Sequence, residues 1–262
     1  MNSLKTKHID SSIVPSNISM KLDSNIINGF EYVFPRKGCS LIWYGWPENV
    51  PKPSFDRKAT YHPITVFGKT QIQPRKTLCY GFSYKYSGTP HVLEKEIPED
   101  IKVIMNLTIS MYPDADKYNL MCLANSYPTG HHCIGKHSDD EQQMSELRDV
   151  VCWVVGATRR LIIRDKKNND NVLLDVHIPE GIYIMHGKDF QSYYKHEIPR
   201  EQEALFKKMS ELAPTDLNPL QKSDWLSEHP EVIREKMADK YEKYLEWKKV
   251  RDSYTMRFFK KI

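Results

Sequence analysis

The chain has 262 residues, of which 40% are hydrophobic and 27% charged, so it has the composition of a globular protein and can bury a sizeable core. Its net charge of +4 arises from 38 basic and 34 acidic residues, which excludes a polycationic surface and leaves nucleic acid as a partner only through a local patch. Five cysteines without CxxC spacing favour a reducing compartment. The sequence opens without an apolar h-region and contains no run of membrane-spanning length, so we expect no membrane partner and a place in the nucleus or cytoplasm, with the nucleus slightly favoured. We also expect a monomer.

The first quarter of the chain differs in composition from the rest. Residues 1 to about 28 are polar, with Ser, Asn and Lys, and we expect a loose arm there. The stretch over 31–63 is aromatic and rich in Pro, which predicts an ordered but irregular segment. We therefore expect an N-terminal extension over 1–60, followed by a domain over 61–262.

Short segments rich in Val, Ile and Tyr follow, divided by Gly, Pro or Asn/Asp signals. They are ITVFGKTQI, TLCYGFSYKY, YNLMCLANSY, VVCWVVGATRRLIIRD, NVLLDVHI, GIYIMHG and SYTMRFF. This pattern predicts an antiparallel sandwich or barrel, an α+β fold that is mainly β, and not alternating βαβ units.

Two helices are predicted among these strands. PEDIKVIMNLTISMYP places apolar side chains on one side, at Ile101, Ile104, Met105, Leu107 and Ile109. HPEVIREKMADKYEKYLEWKKV has a proline in its first turn and an apolar stripe at Ile233, Met237, Tyr241, Tyr244 and Leu245. The stripe indicates a packing face.

NSYPTGHHCIGKHSDDE, over 125–141, concentrates candidate metal ligands between two turn signals. His137 and Asp139 flank a single residue, so on a strand both side chains project to the same face. This is the close half of a facial triad of two His and one carboxylate, which leaves positions open on a non-haem iron. A charged loop tip is the alternative for these two residues alone.

Residues later in the chain complete this pattern. SYYKHEIP supplies His196 as a second imidazole, on a later strand. RDSYTMR supplies Arg251 and Arg257, which an even spacing puts on one face of a strand. Forked guanidinium donors bind both oxygens of a carboxylate, so this pair suits the acidic co-substrate of such iron enzymes.

In this order of motifs the sequence resembles the AlkB family of iron(II)/2-oxoglutarate dioxygenases, and most closely its nuclear DNA-repair branch. The resemblance implies a double-stranded β-helix, or jelly-roll, core with flanking helices. It also implies that His137, Asp139 and His196 are the catalytic iron ligands. The remaining co-substrate contacts that it implies are Asn125 and Tyr127 from NSY, and Ser253 and Thr255 between the two arginines.

VFGKTQIQPRKTLCYGFSYKYSG, over 66–88, matches the DNA-repair branch in order. By that resemblance Phe67 is a finger residue that enters the base stack, and Arg75 is a nucleic-acid contact. Tyr84 and Tyr86 line the base pocket. The acids after the iron ligands, Asp140 and Glu141, reach the flipped base. The implied partner is nucleic acid, DNA more than RNA.

The implied activity is oxidative demethylation of N-alkylated bases, with release of formaldehyde and succinate. The sequence departs from the family by a helical insertion over about 201–250, whose acids and bases nearly cancel, and by Ser253 where the family often has Asn. An RNA demethylase and a catalytically silent nucleic-acid-binding relative stay open as alternatives. Zinc at His131, His132 and Cys133 is a weaker alternative, because no second CxxC or HxxxH supports it.

Overall fold

The computed structural model describes residues 6–9, 29–66, 68–82, 85, 86, 89, 90, 93–141 and 143–261. Within these ranges the strands are β1 (Thr6–Ile9), β2 (Gly29–Val33), β3 (Ser40–Tyr44), β4 (Tyr61–Val66), β5 (Lys69–Gly81), β6 (Lys85–Tyr86), β7 (Thr89–Pro90), β8 (Tyr118–Tyr127), β9 (Ile134–His137), β10 (Val150–Gly156), β11 (Arg159–Asp165), β12 (Asn171–Ile178), β13 (Gly181–His186), β14 (Tyr194–Ile198) and β15 (Arg251–Lys260). The helices are α1 (Glu99–Ser110), α2 (Phe190–Tyr193), α3 (Glu203–Met209), α4 (Pro219–Glu228), α5 (Pro230–Lys236) and α6 (Tyr241–Trp247). The predicted class, mainly β with antiparallel strands and flanking helices, is confirmed.

Nine of these strands form one antiparallel sheet in the order β1-β2-β3-β13-β10-β15-β8-β5-β4. A second sheet has the order β12-β11-β14-β9. Apolar side chains from both sheets share one core, with Leu123 and Met185 from the larger sheet and Ile163 and Ile198 from the smaller. The two sheets therefore face each other across this core, and the inner faces of β8, β15, β9 and β14 look into the same space.

The outer face of the larger sheet is covered by the first predicted helix. α1 begins with Glu99 and Asp100, which suit the positive end of its dipole. Ile101 and Ile104 are fully buried in a second core with Trp153 of β10. Trp153 Nε1 donates to Thr108 Oγ1 at 2.9 Å, so the buried indole N–H is satisfied.

The second predicted helix is two helices. α5 ends at Lys236, because Met237 adopts φ −141° and ψ 47°, outside the helical region. A 3-10 turn at Ala238–Lys240 then leads into α6. With α3 and α4 they surround a separate small core, formed by Leu205, Phe206, Met209, Ala213, Leu226, Ile233, Tyr244 and Trp247. The break lets the buried positions on α5 and α6 turn toward this core.

The prediction of an irregular segment over 31–63 is wrong where β2 and β3 lie. β3 pairs with β13 inside the larger sheet, and β2 pairs with β3. Each has only five residues, and Pro35 and Gly38 lie in the short link between them, which hid the strands in the sequence. The predicted arm over 1–28 lies outside the described residues, apart from β1, which pairs with β2. In the described part of the chain, every helix falls short of what is needed to span a bilayer.

Candidate metal and co-substrate site

His137, Asp139 and His196 converge in the space between the sheets, as the sequence predicts. One ligand atom of each lies within 4.8 Å of those of the other two. His137 ends β9 and lies opposite His196 of β14 in the sheet register. Asp139 follows just beyond the end of β9, and its Oδ2 lies 3.5 Å from His196 Nε2. Among the residues that the structure describes, this is the one His/Cys/Asp/Glu group that could hold a metal ion.

Hydrogen bonding and burial prepare the imidazoles for a metal. His137 Nδ1 donates to the Gly135 carbonyl at 2.9 Å, so the proton sits on Nδ1 and the Nε2 lone pair is free. Burial lowers the pKa of His137, and burial together with the nearby His137 lowers the pKa of His196 to about 3. Both rings are therefore neutral near pH 7, which is the state that ligates metals.

The third candidate ligand, Asp139, is held as an anion by a nearby arginine. Burial works against ionisation of Asp139, but Arg257 and the two imidazoles outweigh it and lower its pKa. Arg257 Nη1 donates to Asp139 Oδ1 at 2.8 Å. The same nitrogen donates to Glu141 Oε1 at 2.7 Å. One buried guanidinium thus joins the triad to a predicted substrate residue.

The two predicted base contacts differ in their surroundings. Glu141 is largely buried, and its Oε2 has no hydrogen-bond partner among the described residues. Asp140 is more than half exposed and accepts from Lys166 Nζ at 3.0 Å. Lys166 also donates to the Gln191 carbonyl at 2.6 Å. Asp140 therefore forms a salt bridge with Lys166, while Oε2 of Glu141 is an unused hydrogen-bond acceptor among the described residues.

The predicted co-substrate contacts share one cavity with the triad. β15 and β8 are paired so that Arg251 lies opposite Tyr127 and Ser253 opposite Asn125. The cavity is lined by Leu123, Asn125, Tyr127, Ile134, His137, Asp139, Cys152, Tyr183, Met185, His196, Ile198, Arg251, Ser253, Thr255 and Arg257. Every predicted iron and co-substrate residue lies in this lining, and none of the lining residues comes from the 201–250 segment.

Arg251 is the group in this cavity with the most unused hydrogen-bonding capacity. It is fully buried, and Nη1 donates to the carbonyls of Ala157 and Ile178 at 3.2 and 2.9 Å. Its Nε and Nη2 have no hydrogen-bond partner in the described part of the chain, and burial lowers its pKa. A buried cation with unpaired donors is costly unless an anion binds it.

Arg75 lies elsewhere than its predicted role requires. It was expected at the nucleic acid, but it is only 5% exposed, on the inward face of β5. Its Nε donates to Asn125 Oδ1 at 2.8 Å, while Asn125 Nδ2 donates to the Leu123 carbonyl at 3.2 Å. Alternation along β5 turns Arg75 inward, so it fixes the orientation of the Asn125 amide beside the cavity.

The remaining predicted substrate residues are not described at the side-chain level. Phe67 and Tyr84 lie outside the described residues. Tyr86 belongs to β6, where its backbone pairs with Thr89 of β7.

Sequence reasoning missed two side chains that support the site. Gln191 is buried on α2, and its Oε1 accepts from the backbone N–H of Asp139 at 3.0 Å. Arg159 is buried at the start of β11 and donates to the carbonyls of Thr129, His132 and Pro199 at 3.0, 2.7 and 2.9 Å. It ties the turn before β9 to the chain after His196. Gln191 lies outside the predicted segments, and Arg159 lies in a predicted strand segment without a role assigned to it, so no local signal marked either as a supporting residue.

The zinc alternative at His131, His132 and Cys133 is not supported. These residues form no candidate metal group in the described part of the chain. His131 stacks on Phe206 with ring centroids 3.9 Å apart. Thr129 N–H donates to His132 Nδ1 at 3.2 Å, so that nitrogen is already engaged.

Comparisons with known proteins find relatives for about half of the chain. No family model matches the chain. Three proteins named DNA oxidative demethylase ALKBH2, from Bos taurus, Mus musculus and Homo sapiens, are 24%, 24% and 25% identical to it over 153, 154 and 151 residues. Each match covers 54% of this chain and 53%, 62% and 56% of the relative, so the chain spans little more than half the length of the curated relatives it matches. A solved structure of OsALKBH1 matches 52% of this chain and 47% of that one, at 20% identity and a TM-score of 0.30. The similarity to the ALKBH2 proteins supports the resemblance to the AlkB family that the sequence motifs indicate.

Proposed function

We propose that this protein oxidatively demethylates N-alkylated bases in nucleic acid, with iron(II) as metal and 2-oxoglutarate and oxygen as co-substrates, on a double-stranded β-helix core. One observation carries the proposal: the cluster of His137, Asp139 and His196 shares a cavity with two buried arginines, Arg251 and Arg257. The name of the relatives, DNA oxidative demethylase, supports DNA over RNA and a role in direct-reversal repair.

The donor set fits iron(II). Two neutral imidazoles and one carboxylate form a facial set that leaves coordination positions open. His137 and His196 would each offer one ring nitrogen, and Asp139 would offer the oxygen that faces His196. When bound, iron(II) with 2-oxoglutarate would supply the oxidation of the N-methyl carbon, and the hydroxylated product loses formaldehyde. The protein's own contribution is to position the groups that react.

The arginines fit a dicarboxylate such as 2-oxoglutarate. The unpaired Nε and Nη2 of Arg251 would donate to one carboxylate as a fork, with Tyr127 on the facing strand. Asn125, Ser253 and Thr255 line the path from Arg251 toward the triad. Arg257, which already bonds Asp139, would balance the charge of the carboxylate nearest the metal.

Glu141 is the group best placed to read the substrate. Its Oε2 is buried without a hydrogen-bond partner among the described residues, so a donor on a flipped base would satisfy it. A cationic methylated base would gain charge complementarity as well. A base inside a duplex cannot reach a buried site, so the base has to leave the stack first.

Mass spectrometry of methylated oligonucleotides tests the proposal. Single- and double-stranded DNA and RNA with the same N-methylated base are incubated with the protein, iron(II), ascorbate and 2-oxoglutarate. We expect loss of the methyl mass and equimolar succinate and formaldehyde, with DNA preferred. If only the RNA oligonucleotides were demethylated, RNA and not DNA would be the substrate. Binding of oligonucleotides with no succinate under any condition would identify a catalytically silent relative.

A further inference from the structure

Both ends of the 201–250 segment are hydrogen-bonded to the same residue, Gly130. Glu201 N–H donates to the Gly130 carbonyl at 2.7 Å, and Gly130 N–H donates to the Trp247 carbonyl at 2.6 Å. A Cβ at position 130 would lie 2.6 Å from Trp247 Cδ1, so only glycine fits this contact. The segment is therefore docked on the turn that precedes β9, outside the cavity.

α4 carries the contact that goes beyond this turn. Its N-terminus is fixed by a capping box between Asn218 and Gln221. Two successive side chains of α4 then reach different parts of the domain. Ser223 Oγ lies 2.7 Å from Thr129 Oγ1, in the turn before β9. Asp224 accepts from the Tyr61 hydroxyl, at 2.9 Å to Oδ1 and 3.0 Å to Oδ2.

The hydrogen bonds around Tyr61 run in one direction. Thr129 N–H donates to His132 Nδ1, so the ring proton is on Nε2. His132 Nε2 therefore donates to the Tyr61 hydroxyl at 2.6 Å, and that hydroxyl donates to Asp224. The Tyr61 and His132 rings also stack, with an interplanar angle of 9°. Such a chain is cooperative, and removing its central hydroxyl leaves a buried donor and a carboxylate without their partner.

Tyr61 begins the outermost strand of the larger sheet. β4 pairs with β5, and β5 pairs with β8 only over Lys76–Gly81. The outer part of this β4–β5 hairpin, residues 62–66 and 68–75, therefore lies beyond the part of β5 that pairs with β8, and near its base the Pro74 carbonyl accepts from Cys133 N–H at 2.9 Å. Its surface is mostly exposed, with Ile72 at 51%. A two-stranded extension is marginally stable alone and depends on side contacts for a fixed direction.

We propose that the 201–250 segment sets the position of the β4–β5 hairpin through the Asp224–Tyr61 contact, and that it thereby tunes the use of double-stranded over single-stranded substrate. This rests on the proposed function and on the expectation from the sequence that Phe67, between β4 and β5, enters the base stack. Tyr61 and Asp224 are positioning residues, since neither lines the cavity. A hairpin in a fixed position would then matter most for a duplex, because the target base has to leave the stack there, while a single strand largely avoids that cost.

Hydrogen exchange tests the positioning directly and without any activity. The variants are Tyr61→Phe, which keeps the ring, and Asp224→Ala. Tyr244→Phe is the matched control, because it removes a buried tyrosine hydroxyl that donates to the Leu226 carbonyl inside the 201–250 segment, away from the hairpin. We expect backbone amides of 61–75 to exchange at least threefold faster in the first two variants and at the wild-type rate in Tyr244→Phe. Unchanged exchange over 61–75 in Tyr61→Phe and Asp224→Ala would overturn the proposal.

Repair assays then test the consequence for substrate choice. The ratio of kcat/KM for one methylated base in a duplex and in a single strand should fall at least fivefold in Tyr61→Phe, mainly through KM for the duplex. Asp224→Asn, which keeps an acceptor, should restore most of the ratio that Asp224→Ala loses. Equal losses on both substrates would show a purely structural contact and overturn the specificity role. If the wild-type protein were inactive on every substrate, the proposed function would be rejected. The hydrogen-exchange result would still show whether the 201–250 segment holds the β4–β5 hairpin in position.

Discussion

Arg257 donates to the Oδ1 of Asp139 at 2.8 Å, while Oδ2 of the same carboxylate faces His196. The arginine thereby fixes the direction in which Asp139 would offer its oxygen to a metal. Because it also bonds Glu141, one buried guanidinium joins the candidate metal ligands to the acid proposed to contact the base.

Arg257→Ala should raise the 2-oxoglutarate concentration needed for half-maximal turnover by about 30-fold or more. Loss of one partner of a desolvated charge pair costs about 2–5 kcal/mol. Succinate production at varied 2-oxoglutarate measures this. Arg160→Ala is the control, because that arginine pairs with Asp175 at the surface and should change little. An unchanged co-substrate requirement would separate Arg257 from the co-substrate.

His137→Ala, Asp139→Ala and His196→Ala should each abolish turnover with the fold retained. A facial site has no spare protein ligand among the described residues, and each removed side chain leaves two. Circular dichroism checks the fold, and iron(II) titration followed by succinate release checks the site. Wild-type succinate production by any one variant would remove that residue from the triad.

Gln191→Leu should weaken metal binding about 10- to 100-fold with little change in secondary structure. The substitution leaves the buried N–H of Asp139 without its acceptor, and residues that orient a ligand typically affect metal affinity by such factors. Competition between iron(II) and a chelator measures the change. Ser145→Ala serves as the control, since it removes a buried hydroxyl bonded to Leu147. Equal metal affinity in the two variants would count against an orienting role for Gln191.

Lowering the pH should destabilise the fold through His131. Burial and the nearby Arg200 lower its pKa from 6.5 to about 4, so the folded state binds fewer protons than the unfolded chain between these values. The stabilising contribution is thus present above pH 6.5 and lost as the pH falls toward 4. Urea unfolding of wild type and His131→Leu at pH 7 and 4.5 measures this. The wild type should lose about 2 kcal/mol more than the variant between the two pH values.

His131→Leu should itself be tolerated at pH 7. Neither ring nitrogen of His131 has a hydrogen-bond partner among the described residues, and the ring stacks on Phe206. Parallel pH profiles for the two proteins would mean that His131 takes no part in the acid response.

Phe67→Ala should depress repair of a methylated base in duplex DNA by tenfold or more, about 1.4 kcal/mol. An apolar wedge occupies the space that a flipped base leaves, and a single strand has little stacking to replace. Repair of the same base in a single strand is the internal control, because both substrates share the cavity. Equal losses on both would make Phe67 a folding residue. No loss on either would favour a single-stranded target.

Within one segment, the sequence was enough to predict which candidate side chains share a face or lie close together. Strand periodicity places Arg251 and Arg257 on one face, and the short spacing of His137 and Asp139 brings them together. It could not predict that Gln191 or Asp224 would meet partners far away in the chain, because such contacts depend on how sheets and helices pack. The resemblance predicted that Arg75 contacts nucleic acid. In the structure its side chain is buried on β5 and donates to Asn125.

Two parts of the fold were missed for different reasons, α4 and the strands β2 and β3. The capping box at Asn218 and Gln221, with Pro219 between them, could have marked the start of α4. β2 and β3 are short strands, and only their pairing with each other and with β13 makes them part of the sheet. Non-local pairing is the part of a β protein that one strand's sequence encodes least.

The position of β15 has a consequence for how the chain folds during synthesis. Along the chain it follows every other described strand, yet it lies between β10 and β8 in the middle of the larger sheet. Until residues 251–260 have left the ribosome, β8 and β10 each expose an unpaired edge that could pair with another chain. The 201–250 segment has its own small core and is synthesised just before β15. It therefore lengthens the time during which the edges of β8 and β10 are unpaired. Closing the sheet is a late, long-range and therefore slow event, and nascent chains should depend on chaperones until it is complete.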